Sequence, residues 1–314
     1  MTAKSREGMA LLMVVWVLTI LMVTVLSFSF LVRSEAHSTL AFKEDIEKKF
    51  LAEAGVERAI TELLYRRQNR LSGDTTDVWK IDGTPYRIEM AGGYYTVRIT
   101  DESGKLDINT VPEVVLKNLL LNHGVKDDEA DGIVDCIMDW KDPDDLVRLH
   151  GAESDYYMSL PNPYKAKNGD FDTLEELLLV KGITPELLYG TGEKKGIIDF
   201  LTVSARNTQV NLNSAPKEVL MAVPGMTPEI AEGIIDYRKD HEIKGIQEVQ
   251  FILKDGYGAM APYISAADSN VFSIDAVGGK GSGKGGYAIK ATVALDLHSK
   301  YRYLYYSSPA VLPQ

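Results

Sequence analysis

The chain has 314 residues, with 34 Lys and Arg against 45 Asp and Glu, and a single cysteine. That length supports a sizeable core and points to two domains or one domain with a large insertion; lone Cys136 excludes an intramolecular disulfide. The net charge of -11 is concentrated over residues 101 to 269, which hold 31 acids against 16 bases. This works against nucleic acid as main ligand, since phosphate binding needs a basic footprint, and favours cations or basic partner surfaces.

From Met9 to Val32 no side chain is charged. At about 1.5 Å per residue that run forms a helix long enough to cross a hydrocarbon layer of about 30 Å. Lys4 and Arg6 precede it, and Arg33 and Glu35 end it. The positive-inside rule then keeps the short basic end in the cytoplasm and exports the remainder. The run exceeds the apolar core of a secretory signal and lacks its small-residue cleavage site, so a retained anchor is expected. Lys4-Ser-Arg-Glu-Gly8-Met9-Ala-Leu-Leu12 resembles the prepilin leader of the type IV pilin and type II secretion families, in which a membrane peptidase cuts after the glycine. That resemblance makes Gly8 the last leader residue and Met9 the mature N-terminus. Pilin-like proteins usually carry Glu at the fifth mature position, where this chain has Met13. In a filament that carboxylate offsets the buried α-ammonium of a neighbour; a subunit with no neighbour above it has nothing to neutralise.

Helical periodicity continues through Phe42, Ile46, Phe50, Ala54, Ile60 and Leu63 up to Gly73. The spacing predicts one spine helix of about 60 residues, or roughly 90 Å. Tyr86 to Met90 and Tyr94 to Thr100 flank Ala91-Gly-Gly93, a hairpin signature. Val271 to Val277 and Tyr287 to Tyr306 are again β-rich, around the glycine tract from Gly278 to Gly286. Gly278, Gly283 and Lys284 fit the start of a phosphate loop, but Gly285 stands where Ser or Thr would hold magnesium and a strand pattern follows, so a flexible hairpin loop is expected.

Between these β regions, residues 105 to 268 read as helical and internally duplicated. Ile108-Asn-Thr-Val-Pro112 matches Leu212-Asn-Ser-Ala-Pro216, Ala130-Asp-Gly-Ile-Val-Asp135 matches Ala231-Glu-Gly-Ile-Ile-Asp236, and the segment from Phe171 matches that from Ile243. The second copy, through Val223-Pro-Gly-Met-Thr-Pro228, resembles the helix-hairpin-helix of DNA-uptake receptors, in which hairpin amides cradle a phosphate. Glu229 and Glu232 make that region repulsive to phosphate, which favours a helix pair kept for packing.

The densest chemistry is Asp139-Trp-Lys-Asp142-Pro-Asp144-Asp145, followed by Glu153 and Asp155. Such carboxylates repel one another unless water or a cation screens them. The residues alone leave open a hard divalent ion such as calcium and a solvated acidic turn, and the spacing is not that of an EF-hand. The scattered histidines 37, 123, 150, 241 and 298 argue against a transition metal. No Ser-His-Asp or glycosidase context accompanies the acids, so no catalytic residue is assigned.

Asp139 to Asp145, Gly151-Ala-Glu153, Tyr156-Tyr157, Phe171 to Leu177, Val180-Lys-Gly-Ile-Thr-Pro-Glu186 and Asp101 to Asn109 together resemble the type II secretion system minor pseudopilin K family. The leader and the absent fifth-position glutamate agree with it. The resemblance implies an α+β pilin-like fold, a long N-terminal spine helix plus antiparallel sheet, with a large α-helical domain inserted between strands. The expected divisions are a leader over 1–8, a transmembrane helix over 9–32, pilin-like parts over 33–104 and 269–314, and the inserted domain over 105–268. The resemblance further implies a non-enzymatic role at the tip of the pseudopilus, initiating or capping assembly for protein export across the outer membrane. Its partners would be minor pseudopilins I and J, beyond them H and the major pseudopilin, and the prepilin peptidase. The location implied is the inner membrane, single-pass, with the C-terminal domain periplasmic. It also implies structural Ca²⁺ in the α-domain, for which Asp139, Asp142, Asp144, Asp145, Glu153 and Asp155 are the candidate ligands. A membrane-anchored DNA-uptake receptor is the alternative.

Overall fold

The computed structural model describes residues 4–70, 78–192, 194–281, 285–296 and 300–311. Helix α1 (Lys4–Arg70) precedes strands β1 (Asp82–Met90) and β2 (Gly93–Asp101). Then come β3 (Leu106–Asp107), α2 (Glu113–Asn122), α3 (Asp127–Lys141), α4 (Ser154–Met158), α5 (Pro185–Tyr189), β4 (Gly190–Thr191), β5 (Lys194–Lys195) and β6 (Leu201–Thr202). A second helical stretch has β7 (Val210–Asn211), α6 (Lys217–Ala222), α7 (Pro228–Asp240), α8 (Gln250–Leu253), α9 (Tyr257–Met260) and β8 (Ile264–Ser265). The chain closes with β9 (Val271–Gly279), β10 (Tyr287–Leu295) and β11 (Tyr301–Ser307).

The five long strands form one antiparallel sheet in the order β1-β2-β9-β10-β11. Everything from Glu102 to Asn270 therefore enters and leaves between two hydrogen-bonded neighbours, with Asp101 opposite Phe272. The β-rich run from Tyr287 to Tyr306 is two strands rather than one, because the chain reverses between Leu295 and Tyr301. The first hairpin turns at Gly92, whose φ of 94° is open to glycine. The glycine tract does join β9 to β10 as a hairpin, with Gly278 and Gly279 inside β9. Gly73, Gly283 and Lys284 lie outside the described residues.

One stripe of α1, comprising Ala52, Val56, Ala59, Ile60 and Leu63, is buried on Val97, Ile99, Ile274, Ala276, Ile289 and Val293. The helical spacing of that stripe meets the strands' period of two, so alternate residues such as Val97 and Ile99, and Ile274 and Ala276, face the helix. Close approach of spine and sheet depends on Gly278: a Cβ there would lie 2.0 Å from Lys48 O and 2.7 Å from Ala52 N. Because both obstacles are backbone, Gly278→Ala is expected to destabilise the sheet domain by about 3 kcal/mol, the upper range for overpacking. Urea unfolding checks this, and an unchanged midpoint would refute the packing argument.

The helical body has its own core, from Leu106 through Trp140, Phe200 and Leu220 to Ala266. Two sets of side-chain to backbone hydrogen bonds in it correspond. Asn109 exchanges two bonds with the backbone of Phe171, at 3.1 and 2.8 Å, and Asn213 exchanges two with Ile243, both at 2.9 Å. Lys141 donates to Ile108 O and Asn109 O as Arg238 donates to Leu212 O and Ala215 O. Gly124 and Gly225 take φ of 91° and 84° at the hairpins between α2 and α3 and between α6 and α7.

Body and sheet are clasped where the chain crosses. Buried Asp101 accepts from Ser103 N, Asn211 Nδ2, Ser269 N and Ser269 Oγ. At the end of the spine Arg66 pairs with Glu242 and, at 3.2 Å, with Asp268. The body thus caps the spine's far end, with about 50 Å of helix between Val32 and Arg66 at ~1.5 Å per residue.

Candidate metal centre

Helix α3 carries Asp127, Asp128 and Glu129 in its first turn, where acids complement the helix dipole. It ends at Asp142 because Pro143 disfavours helical geometry in the residue before it. Two features place its C-terminal carboxylates. Trp140 packs edge-on against Tyr157 at 5.3 Å and lies near Tyr164 and Phe171, fixing the last turn on an aromatic cluster. The loop from Pro143 to Ala152 then folds back, and backbone N–H groups of Arg148 and Ala152 bond to the Asp139 carboxylate. Gly151 makes that return feasible, since a Cβ there would fall 1.9 Å from Asp139 Oδ2.

The result is a triad: one carboxylate oxygen each from Asp139, Asp142 and Glu153 lies within 4.8 Å of the others. Asp139 and Glu153 are buried and Asp142 is half-buried. Both carboxylate oxygens of Glu153 and Oδ1 of Asp142 have no hydrogen-bond partner. Leaving buried acceptors unpaired is expensive, and three carboxylates at this range add mutual repulsion. Burial, then the charges of Asp139 and Asp142, push the Glu153 carboxyl up to about 7. Burial likewise raises Asp139 and Asp142 above the ordinary aspartate range. An all-oxygen donor set with unused buried lone pairs fits a hard divalent cation, which would exchange repulsion for coordination.

The other three candidates fall outside this group. Asp144 is exposed and accepts from Leu146 N, closing its own turn at 2.9 Å. Asp145 is exposed and accepts from Asn168 Nδ2 at 3.2 Å, and Asp155 is exposed in the first turn of α4. A residue that charge counting missed is Asn168, whose Oδ1 is buried without a donor while its Nδ2 holds Asp144 O and Asp145 Oδ1. Its φ of 49° is a left-handed value that Asn tolerates, and the Asn168-Gly169 turn pair was the signal available in the sequence.

At the second hairpin, Thr227 accepts from Ile230 N at 3.3 Å and caps α7. The Glu229 carboxyl is held below its usual value by its own backbone N–H and by the Thr227 hydroxyl. A carboxylate therefore occupies the helix start that a phosphate would need, and the DNA-receptor alternative is not favoured.

The family described as Type II secretion system (T2SS), protein K, matches residues 98–189, and the helix-hairpin-helix motif matches residues 205–264. Over 258 residues the chain is 27% identical to the type II secretion system protein K of Pseudomonas aeruginosa, covering 75% of this chain and 73% of that one. It is 29% identical over 206 residues to the protein K of Pectobacterium carotovorum, covering 59% of this chain and 61% of that one. Among solved structures, a chain of the GspK-GspI-GspJ complex from enterotoxigenic Escherichia coli superposes with a TM-score of 0.60 at 14% identity, covering 88% of this chain and 100% of that one.

A membrane-length helix continued as a spine behind an antiparallel sheet defines a pilin-class protein. Within that class, residues 98–189 match the type II secretion system protein K family, and the chain is similar to proteins K of that system over three quarters of its length. It is a minor pseudopilin of that system, a structural component.

Proposed function

We propose that the protein sits at the tip of the pseudopilus and starts or caps it without catalysing a reaction. The observation that carries this reading is the helical body seated on the end of the spine farthest from the apolar segment, tied there by Arg66. A subunit stacked above would meet that body instead of a free spine end. Met13 in place of the usual glutamate supports the same position. The anchor lies in the inner membrane with the globular part periplasmic, after cleavage between Gly8 and Met9. The matched hydrogen bonds around Asn109 and Asn213 support reading the body as an internally duplicated helical unit. Minor pseudopilins I and J are the partners, a reading supported by the GspK-GspI-GspJ complex whose chain this fold resembles. The Asp139, Asp142 and Glu153 triad holds structural Ca²⁺, supported by its unpartnered buried oxygens.

Co-expression of the full chain with pseudopilins I and J tests the assembly role, with joint purification in detergent expected; isolation of the chain alone would refute it. Because Asp101 pairs with Phe272, a short linker can replace residues 105–268 without stretching the sheet. That variant is expected to abolish tip assembly and secretion while the spine still inserts; unaltered secretion would overturn the capping role. N-terminal sequencing of the membrane-extracted protein should begin at Met9, and any other start would overturn the leader assignment.

A further inference from the structure

The two edges of the five-stranded sheet are built differently. Edge strand β1 carries Pro85, a register break between Asp82 and Pro85, and the ion pair Arg87 Nε to Glu89 Oε1 at 2.7 Å. The Arg87 guanidinium also lies 3.4 Å over the Tyr94 ring. Proline, charge and irregular register are the devices that stop an edge from recruiting another strand.

Strand β11 has few of these protections. Tyr301 through Tyr306 are exposed without interruption, Arg302 is the only charged residue among them, and no proline interrupts the strand. Its pairing with β10 slips between Thr292 and Val293, so that Leu304 has no partner opposite. The slip turns Tyr303 and Tyr306 to the same side: the ring of Tyr303 meets Tyr301 at 5.6 Å and Tyr306 at 5.4 Å, and its phenol donates to Glu57 of the spine at 3.2 Å. Beyond Glu57 the row continues onto exposed Phe50, Ile46 and Phe42 of α1. Spaced three to four residues apart, these side chains lie on one face of the helix, so the tyrosine row and the exposed spine residues form one apolar strip. Sheet order ends at β11, and among the described residues no strand pairs with its outer side. A backbone edge of seven residues, about 23 Å at ~3.3 Å per residue, is complementary to one thing above all, another extended strand.

We infer that the outer edge of β11, with its tyrosine row, is where an extended strand of a second minor pseudopilin adds to the sheet. The inference rests on the tip-complex reading and specifies the contact through which that complex forms.

Its test is hydrogen exchange and joint purification of the full chain co-expressed with pseudopilins I and J. Amides of residues 301–307 are expected to exchange at least tenfold more slowly in the complex than in the chain alone. The double variant Leu304→Lys with Tyr305→Glu, both at exposed positions, is expected to lower recovery of the partners at least tenfold. Ile88→Lys on the opposite edge is expected to leave recovery unchanged. If the wild type brings down partners and the double variant does so equally, or if residues 301–307 exchange alike in both states, this inference falls and the tip-complex reading stands. If the wild type brings down neither partner, the tip-complex reading falls and this inference with it. Protection that appears in the chain alone and vanishes on dilution would identify a second copy as the occupant and overturn the inference. The exchange experiment uses the wild type, so it decides the matter even where the double variant fails to fold.

Discussion

Glu153→Gln is expected to abolish the calcium-dependent rise in thermal stability that the proposed metal site predicts for the wild-type protein near pH 7.5. In the folded chain Glu153 is 2% exposed, neither of its carboxylate oxygens has a donor, and Asp139 and Asp142 stand within 4.8 Å. The folded state therefore binds the Glu153 proton more tightly than the unfolded chain, where the carboxyl titrates near 4.5. Between pH 4.5 and about 7 the folded state carries more protons, so the calcium-free protein loses stability as pH rises through that window. The loss reaches at most about 3 kcal/mol, because each pH unit separating the folded from the unfolded titration is worth about 1.36 kcal/mol. Calcium bound at the proposed site would replace the proton and remove the penalty, contributing about 2.7 kcal/mol when present at a hundred times its dissociation constant.

Calorimetry with calcium and with chelator, at pH 5.5 and 7.5, checks both parts. The wild-type rise in melting temperature should be large at pH 7.5 and small at pH 5.5, where the proton competes. Glu153→Gln should flatten the pH dependence and remove the rise, and Asp155→Asn should alter neither. A wild-type protein whose midpoint ignores calcium at pH 7.5 would remove the metal from the account.

Asp101→Ala is expected to destabilise the protein by about 3–5 kcal/mol, because the buried donors Asn211 Nδ2 and Ser103 N and the half-buried Ser269 N lose their acceptor together. Each unpaired buried donor costs about 1–3 kcal/mol, and the three lie where the chain enters and leaves the helical body. Loss of the clasp should also loosen the junction, so limited proteolysis near residues 101 and 269 is expected to quicken while the body's own core persists. Urea unfolding followed by tryptophan fluorescence measures the first effect. A loss below about 1 kcal/mol would mean that water replaces the carboxylate without strain.

The acidic loop shows where reading residues in a row succeeds and fails. The crowding of carboxylates around Asp142 is a local property and visible in the sequence. Selecting Asp139, Asp142 and Glu153 from the six candidates required the fold. Asp139 faces inward because Trp140 pins the last turn of α3, and Glu153 arrives through a loop return that Gly151 permits. Asp144 and Asp145, although adjacent, satisfy turn and side-chain amide donors instead.

By itself the sequence determined the spine, the first hairpin and the insertion of a helical body between β regions, because apolar run length, periods of 3.6 and 2, and turn glycines are set by local covalent and steric rules. It also showed the likeness between the Asn109 and Asn213 segments, whose backbone bonds to Phe171 and Ile243 appear only in the fold. Only the tertiary structure decided which carboxylates converge, that Asp101 clasps body to sheet, and that β11 rather than β1 presents an open edge. Those outcomes depend on contacts between residues far apart in the chain. Their energies come from burial and pairing in three dimensions, which no local pattern encodes.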